Sequence, residues 1–177
     1  PNIWVLGDAD GKFLFKHVAN HEAQVVYFNA VLKKKIKVDY HAVPHAVFTD
    51  PEIASVALRE QEAVDKYGKD NILIGFYKYA DTAKGEAMAL KDDFVKVIVK
   101  RDTGQILGAH IIGPDASVLI QEIVNVMYTE AQNLDPINVA MHIHPALSEV
   151  VARAFQTFMI YEQYHHYLTE HSNLPLE

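Results

Sequence analysis

The strongest local pattern in the sequence is a pair of apolar segments that flank a short polar turn. Residues 94–99 and 105–112 are rich in Val and Ile, and the turn between them, at 101–104, ends in Gly104. β-branched residues favour strands, and a short connection that contains glycine favours an antiparallel pairing of the two strands. The sequence therefore predicts a β-hairpin in this region.

The rest of the chain alternates shorter strand and helix patterns. Apolar runs predict strands at 3–6, 46–48 and 72–79, and a polar stretch predicts a loop at 81–86. Helical spacing of apolar residues predicts helices at 16–32, 59–67, 116–132 and 145–158, with a short helical turn at Asp135-Pro136. Asp115 is expected to cap the helix at 116–132. Residues 161–177 have no clear periodicity and are expected to form a tail that is either docked or partly loose.

Composition narrows the classes of protein that fit. The chain has 177 residues, of which 50% are hydrophobic and 22% charged, so a compact core is expected. Its net charge is −7 and its one basic run is 33–37, which argues against binding of nucleic acid. It contains no cysteine, which excludes disulfides, thiolate metal sites and thiol nucleophiles within this chain. No apolar run reaches the ~18–20 residues of a membrane span, and no leader is evident, so a cytoplasmic protein without membrane contact is expected.

The segment from His144 to Glu149 carries the clearest chemical signal. Pro145 disfavours helical conformation at the residue before it, so the His144 ring is expected just outside a helix that begins at Pro145. Glu149 falls in the first turn, where the helix dipole favours a carboxylate that can fold back onto one ring nitrogen. The other nitrogen is then left to exchange a proton, as in a catalytic dyad. The alternative is an ordinary helix start with a first-turn acid.

Two further patterns suggest ligands. Gly7-Asp8 follows the strand predicted at 3–6, and an acid in such a position commonly accepts hydrogen bonds from ribose or ribitol hydroxyls; the alternative is a turn in which Asp8 bonds its own backbone. The ten histidines raise the hypothesis of a metal-binding protein. His17 and His21 have helical spacing but lack the glutamate of a protease zinc helix, so solvated or hydrogen-bonded histidines are expected and no metal site is assigned.

Four segments together resemble one family. They are NIWVLGD at 2–8, FTDPEIASV at 48–56, GAHIIGP at 108–114 and HIHPALSE at 142–149. They occur in the order found in flavin-dependent pyridine nucleotide–disulfide oxidoreductases, and the resemblance covers about residues 1–160. The last segment is most similar to that of dihydrolipoamide dehydrogenases. Mercuric reductases resemble the sheet segments but usually lack the His-Pro-Glu element.

The resemblance implies a fold and a division of the chain. The fold would be α+β, an antiparallel sheet flanked by helices that forms the dimerisation domain of an FAD/NAD-linked reductase, at 40–160. A strand, loop and helix at 1–36 would be the remnant of an FAD-binding domain, and 161–177 would be a C-terminal tail. The redox cysteine pair, the first FAD fingerprint and the NAD-binding module would precede Pro1, which agrees with the absence of cysteine and of a Gly-x-Gly-x-x-Gly motif. The chain is therefore expected to be a C-terminal fragment.

The resemblance also implies roles for particular residues. Gly7 and Asp8 would contact FAD, and His144, oriented by Glu149, would reach the redox disulfide beside the flavin of the other subunit. The parent enzyme would be a homodimer that uses FAD and NAD(P) on a small-molecule or lipoyl disulfide. The fragment alone is expected to bind no cofactor and to be inactive.

Two positions depart from the family pattern. Ala146 stands where threonine is usual, and Ala57 stands where glycine is often found. A second hypothesis keeps the fold without the chemistry, as a non-catalytic dimerisation or binding module. The His144–Glu149 pair favours the enzyme, because a module used only for assembly has no need of an oriented imidazole.

Overall fold

A computed structural model describes residues 3–171 of the chain. The chain divides into two compact units, one of residues 1–43 and one of residues 44–177. Part of the expected tail, residues 172–177, lies outside the described residues.

The unit of residues 1–43 is built around one helix. A 3-10 turn at Gly7–Asp10 precedes helix α1 (Lys16–Ala30), which confirms the helix predicted at 16–32. The strand predicted at 3–6 is wrong. Ile3 is 85% exposed and Val5 is 58% exposed, and none of residues 3–171 pairs with them as a strand. An apolar run forms a strand only where a neighbouring backbone forms hydrogen bonds with its N–H and C=O groups.

The unit of residues 44–177 contains an antiparallel sheet. Its strands are β1 (Pro44–Val47), β2 (Ile53–Ala57), β3 (Ile72–Lys78), β4 (Phe94–Lys100), β5 (Ile106–Ile112) and β6 (Phe158–Met159). They lie in the order β1-β2-β5-β4-β3-β6, and every pairing is antiparallel. The predicted hairpin is confirmed as β4–β5, and the predicted α+β class is confirmed. Strands β2 and β6 were not predicted.

Helices cover both faces of this sheet. They are α2 (Glu60–Tyr67), α3 (Ala83–Ala87), α4 (Ala116–Met127), α5 (Asp135–Val139), α6 (Ser148–Ala154) and α7 (Tyr161–His171). Side chains alternate between the two faces of a strand. Ile72 packs with Ala63 of α2, and Phe76 packs with Tyr164 of α7, whereas Gly75 lies against α6. The core therefore consists of two layers, with β3 between them.

Helix α4 begins differently from the prediction. Asp115 occupies the predicted N-cap position with a φ of 58°, but its side chain makes no capping hydrogen bond. The Glu52 carboxylate, from the sequence before β2, instead accepts hydrogen bonds from the Ser117 amide at 3.1 Å and the Ser117 hydroxyl at 3.0 Å. The carboxylate that binds the first turn of α4 thus belongs to Glu52, which is distant from that helix in sequence.

The predicted loop at 81–86 is also wrong, because it contains α3. The Thr82 hydroxyl accepts a hydrogen bond from the Gly85 amide at 3.0 Å, which caps the start of this short helix. Residues 161–171 of the expected tail form α7, which docks on the sheet. Tyr164 of that helix is 3% exposed, so burial on the sheet compensates for the lack of a regular apolar spacing.

The last predicted helix, 145–158, is shorter at both ends. Helix α6 begins at Ser148, after a cis peptide bond between His144 and Pro145. It ends at Ala154 because Phe158 turns back to pair with Gly75 of β3. Among residues 3–171, no helix is long and apolar enough to cross a membrane.

Candidate active-site segment

The most informative segment of the structure is residues 140–147, which connects α5 to α6. It carries His142 and His144, and it ends where Glu149 occupies the first turn of α6. Helix α6 is fixed in the core by Val150, Val151 and Ala154, which are each 0% exposed. Glu149 is therefore attached to an immobile element, whereas His144 lies outside it.

His144 and Glu149 are in direct contact. The Glu149 Oε1 atom lies 2.9 Å from His144 Nδ1, and Glu149 Oε2 accepts a hydrogen bond from the Ala146 amide at 3.1 Å. The hydrogen bonds from His144 and from the Ala146 amide lower the pKa of Glu149 below its usual value. Both carboxylate oxygens are thus used, and the anion is stabilised where it faces the ring.

The other edge of the His144 ring is open. The His144 side chain is 69% exposed, against 15% for Glu149, and His144 Nε2 has no hydrogen-bond partner among residues 3–171. A ring that donates from Nδ1 to a carboxylate presents Nε2 as a proton acceptor, and its protonated form is stabilised by the same anion. The geometry can therefore move a proton to or from a group that approaches from outside.

A second imidazole–carboxylate pair lies next to the first and was missed by sequence reasoning. His142 Nε2 lies 2.8 Å from Oε1 of Glu122 on α4, and His142 Nδ1 lies 3.2 Å from the Ala140 carbonyl oxygen. The two paired residues are 20 apart in sequence, so no spacing rule for a single helix or turn connects them. The sequence showed only the apolar face of α4 in this region, and Glu122 lies beside that face.

Exposed apolar side chains surround this segment. Met141 is 100% exposed, Val139 81%, Ile143 77% and, on α4, Val118 67%. Single exposed apolar residues are ordinary on protein surfaces, whereas several close in sequence at one connection are typical of an interaction surface. We call Val118, Val139, Met141 and Ile143 the apolar rim.

Gly7 and Asp8 belong to the other unit, that of residues 1–43. Gly7 is buried, has a φ of 65°, and donates its amide hydrogen to Oε2 of Glu22 on α1. Glu22 is only 4% exposed, and its Oε1 atom accepts a hydrogen bond from the Tyr40 hydroxyl at 2.6 Å. Burial, followed by the neighbouring Glu22, raises the pKa of Tyr40 to about 12. Glu22 thus fixes the turn that begins with Gly7, and sequence reasoning did not identify it.

The Asp8 carboxylate suits a hydroxyl-rich ligand. It is exposed at the start of the 3-10 turn, and no side-chain hydrogen bond holds it within the described part of the chain. The Asp8 carbonyl oxygen accepts a hydrogen bond from the Gly11 amide at 3.2 Å. An unpaired carboxylate on a fixed turn can accept hydrogen bonds from ribitol hydroxyls, so these residues fit one edge of a flavin cofactor.

The histidines do not assemble a metal site in the described region. Among residues 3–171, no three His, Asp or Glu side chains converge in a way that could hold a metal ion. His165 instead donates to Glu60, whose other oxygen binds Lys96 at 2.9 Å, and His166 pairs with Glu170 at 3.3 Å. These imidazoles therefore contact carboxylates singly rather than as part of a cluster.

Two proteins of known name match most of this chain in sequence. The chain is 43% identical over 157 residues to mycothione reductase of Mycobacterium tuberculosis (strain ATCC 25618 / H37Rv), covering 86% of this chain and 34% of that protein. It is 37% identical over 158 residues to dihydrolipoyl dehydrogenase of a Synechocystis species, covering 88% of this chain and 33% of that protein. The chain thus spans about a third of the length of these relatives.

Solved structures show the same fold. An HOCl-induced flavoprotein disulfide reductase from Escherichia coli superposes with a TM-score of 0.78 at 24% identity, covering 88% of this chain and 35% of that one. LpdA from Mycobacterium tuberculosis gives a TM-score of 0.75 at 23% identity, covering 85% and 32%. The family model for the pyridine nucleotide-disulphide oxidoreductase dimerisation domain matches residues 43–155. The chain therefore belongs to the pyridine nucleotide–disulphide oxidoreductases and contains their dimerisation domain.

Proposed function

We propose that this chain is part of an FAD-dependent NAD(P)–disulfide oxidoreductase in which His144 carries a proton and Glu149 orients it. The observation that supports this proposal most directly is the asymmetry of the His144 ring. Its Nδ1 is bound to a carboxylate at 2.9 Å, while the side chain as a whole is 69% exposed. A structural histidine has no need of a free edge, whereas a general acid–base requires one.

The proton has a defined place in the chemistry. Reduction of a disulfide by NAD(P)H consumes a hydride and one proton and yields two thiols and NAD(P)⁺. FAD, when bound, passes the electron pair between NAD(P)H and the disulfide. In the reverse direction, His144 Nε2 takes the proton from one thiol of a dithiol substrate, and the resulting imidazolium is stabilised by the anionic Glu149.

We assign the cofactor contact of this chain to Gly7 and Asp8. The Asp8 carboxylate would accept hydrogen bonds from ribitol hydroxyls of FAD, and Gly7, held by Glu22, would set the position of that carboxylate. Asp8 supplies one edge of such a site, and FAD and NAD(P) would bind chiefly through the rest of the parent enzyme. The 177-residue chain alone is accordingly expected to be colourless and inactive.

The parent enzyme would act as a homodimer. The match to a dimerisation domain and the apolar rim support a second copy of this chain as the occupant of that surface. Covering the rim would bring an outward-facing His144 to the active site of the partner subunit. Exposure of these side chains to water in a monomer is unfavourable, because apolar surface contributes about 25 cal/mol per Å² when it is buried.

Two substrate classes are candidates, and one observation supports each. The His142–Glu149 segment resembles that of dihydrolipoamide dehydrogenases, which suggests a lipoyl disulfide. The higher identity to mycothione reductase, 43% against 37%, favours a low-molecular-weight thiol disulfide such as mycothione. Measuring kcat/KM of the full-length enzyme for lipoamide and for mycothione distinguishes the two classes.

The test of the proton carrier is His144→Gln in the full-length enzyme that contains this chain. Turnover of the disulfide substrate should fall about 10²–10⁴-fold, while FAD content and melting temperature stay at their wild-type values. Glu149→Gln should cost less, because it keeps a hydrogen-bond acceptor and removes only the charge. The matched control is His166→Gln, since His166 is an exposed histidine that also pairs with a glutamate. Normal turnover in His144→Gln would leave the non-catalytic module as the better description.

A further inference from the structure

The ring of His142 is held at both nitrogens, in contrast to that of His144 two residues later. Nε2 lies 2.8 Å from Glu122 Oε1, and Nδ1 lies 3.2 Å from the Ala140 carbonyl oxygen. Both partners are hydrogen-bond acceptors. A neutral ring satisfies one of them with its single N–H, and a protonated ring satisfies both. The His142 side chain is 12% exposed, so this ring is largely shielded from solvent.

The partner of His142 belongs to a rigid element. Glu122 is in the middle of α4, next to Ile123, which is 0% exposed. Ile120 and Val124, 3% and 5% exposed, fix the same turn of the helix in the core. A bond to Glu122 therefore ties the connecting segment to a helix that cannot shift without disturbing packed side chains.

Little else holds the connecting segment in place. Met141 and Ile143, on either side of His142, are 100% and 77% exposed, so they pack little against the part of the chain that the structure describes. Across residues 141–145, the hydrogen bonds in the described structure are those of the His142 and His144 rings. The segment is therefore fixed at two points, to α4 through Glu122 and to α6 through Glu149.

We propose that His142 and Glu122 form a positioning pair that sets where the His144 ring lies. The inference rests on the proposed function, because it assigns these residues an effect on turnover that acts through His144. Alternate imidazoles of one segment are bound by carboxylates from two different helices, and only the second imidazole keeps a free nitrogen. His142 itself is enclosed and does not touch substrate.

The test uses His142→Ala and Glu122→Ala in the full-length enzyme. Loss of the pair should lower kcat for disulfide reduction about 10–100-fold, since a misplacement near 1 Å can cost about 100-fold, while KM stays within about two-fold. NADH-dependent reduction of a quinone should be unchanged, because it requires neither a disulfide nor His144. Glu122→Gln, which keeps an acceptor, should restore most of the turnover. A role in stability alone would lower both reactions together in proportion to the folded fraction.

Two additional measurements keep the inference separate from the proposed function. Hydrogen–deuterium exchange of residues 140–147 in the full-length enzyme should quicken in Glu122→Ala and His142→Ala but not in the control His166→Ala. The double variant should lose no more turnover than either single one. Normal kcat and exchange in these variants, with His144→Gln inactive, would overturn the positioning pair and leave the proton carrier intact. Full turnover in His144→Gln would overturn the proton carrier, and with it any effect on turnover through His144.

Discussion

The Cα atom of Gly75 on β3 faces the backbone carbonyl oxygen of Ala154, the last residue of α6. A Cβ at Gly75 would overlap that oxygen and would also lie 2.7 Å from Cγ2 of Val97. The neighbours in this contact include backbone and a buried valine, which cannot rotate away as the end of a flexible side chain can. The absence of a side chain at Gly75 is thus what lets α6, with Glu149 in its first turn, lie close to the sheet.

Replacing Gly75 by alanine should therefore displace α6. Overpacking of a close contact costs about 1–3 kcal/mol, so we expect the urea midpoint of the chain to fall by a corresponding amount. In the full-length enzyme the same variant should also lose disulfide turnover, because Glu149 moves with the helix. An unchanged midpoint would show that α6 does not approach the sheet this closely.

Ala57 is an alanine in a backbone conformation that favours glycine. Its φ is 58°, where a Cβ costs about 1–2 kcal/mol. Glycine avoids this cost, but it raises the entropy of the unfolded chain, which lowers stability by about 0.4–1 kcal/mol. Ala57→Gly should therefore stabilise the chain by about 0–1.6 kcal/mol in chemical unfolding. Ala54→Gly, on the same strand without a positive φ, is the matched control and should destabilise it. Equal effects of the two changes would contradict this account.

The half-buried ring of His110 should make stability depend on pH. Burial, followed by the charge of Lys96, lowers the pKa of His110 below 6.5, although the bond to the Leu58 carbonyl acts in the opposite direction. Between the folded-state pKa and 6.5, the His110 ring is protonated in the unfolded chain and neutral in the folded chain. Stability contributed by the neutral ring is complete above pH 6.5 and decreases as the pH falls from there to the folded-state pKa. The free energy of unfolding, followed between about pH 5 and 8, should show a smaller slope in His110→Gln than in the wild type.

Glu22 should affect flavin retention without touching the flavin. Its carboxylate receives hydrogen bonds from the Gly7 amide and the Tyr40 hydroxyl, so Glu22→Ala leaves two donors without an acceptor and frees the turn that carries Asp8. In the full-length enzyme, absorbance should show less FAD per protein for Glu22→Ala and for Asp8→Ala. His21→Ala, at an exposed neighbouring position on α1, is the control. Full flavin content in both test variants would remove the cofactor role from this turn.

A charged side chain in the apolar rim should prevent two subunits from forming a dimer. Met141 is 100% exposed, and Met141→Glu would place carboxylates in the covered surface of a dimer, where an unpaired charge is costly. Light scattering of the full-length enzyme at micromolar concentration should give two subunits for the wild type and one for the variant. Met88→Glu alters another exposed methionine, 41% exposed, and should remain dimeric. A wild-type mass of one subunit would contradict the homodimer.

The features that sequence reasoning anticipated are those whose determinants lie close together in the chain. The β4–β5 hairpin depends on two adjacent apolar segments, and α4 depends on the spacing of its own buried residues. Glu149 is five residues from His144, near enough for the contact to be anticipated from a helix start. These patterns are local, so they are visible without a three-dimensional structure.

The features that were missed depend on distant partners. Glu52 serves the start of α4 from 65 residues away, and Glu122 meets His142 across 20 residues. Strand β6 has two residues and exists because β3 offers a free edge there. Conversely, the apolar run at 3–6 has the composition of a strand, but none of residues 3–171 gives it a pairing partner.

The open edge of His144 has a consequence for how the enzyme would respond to dilution. If the ring serves the neighbouring subunit, each site needs a contribution from two chains, and turnover per flavin becomes a function of total protein concentration. Specific activity should then decline as dimers dissociate and return on reconcentration. Mixing subunits that lack His144 with subunits that lack the flavin contact should give hybrid dimers in which one site has both parts, so two inactive preparations would together recover activity.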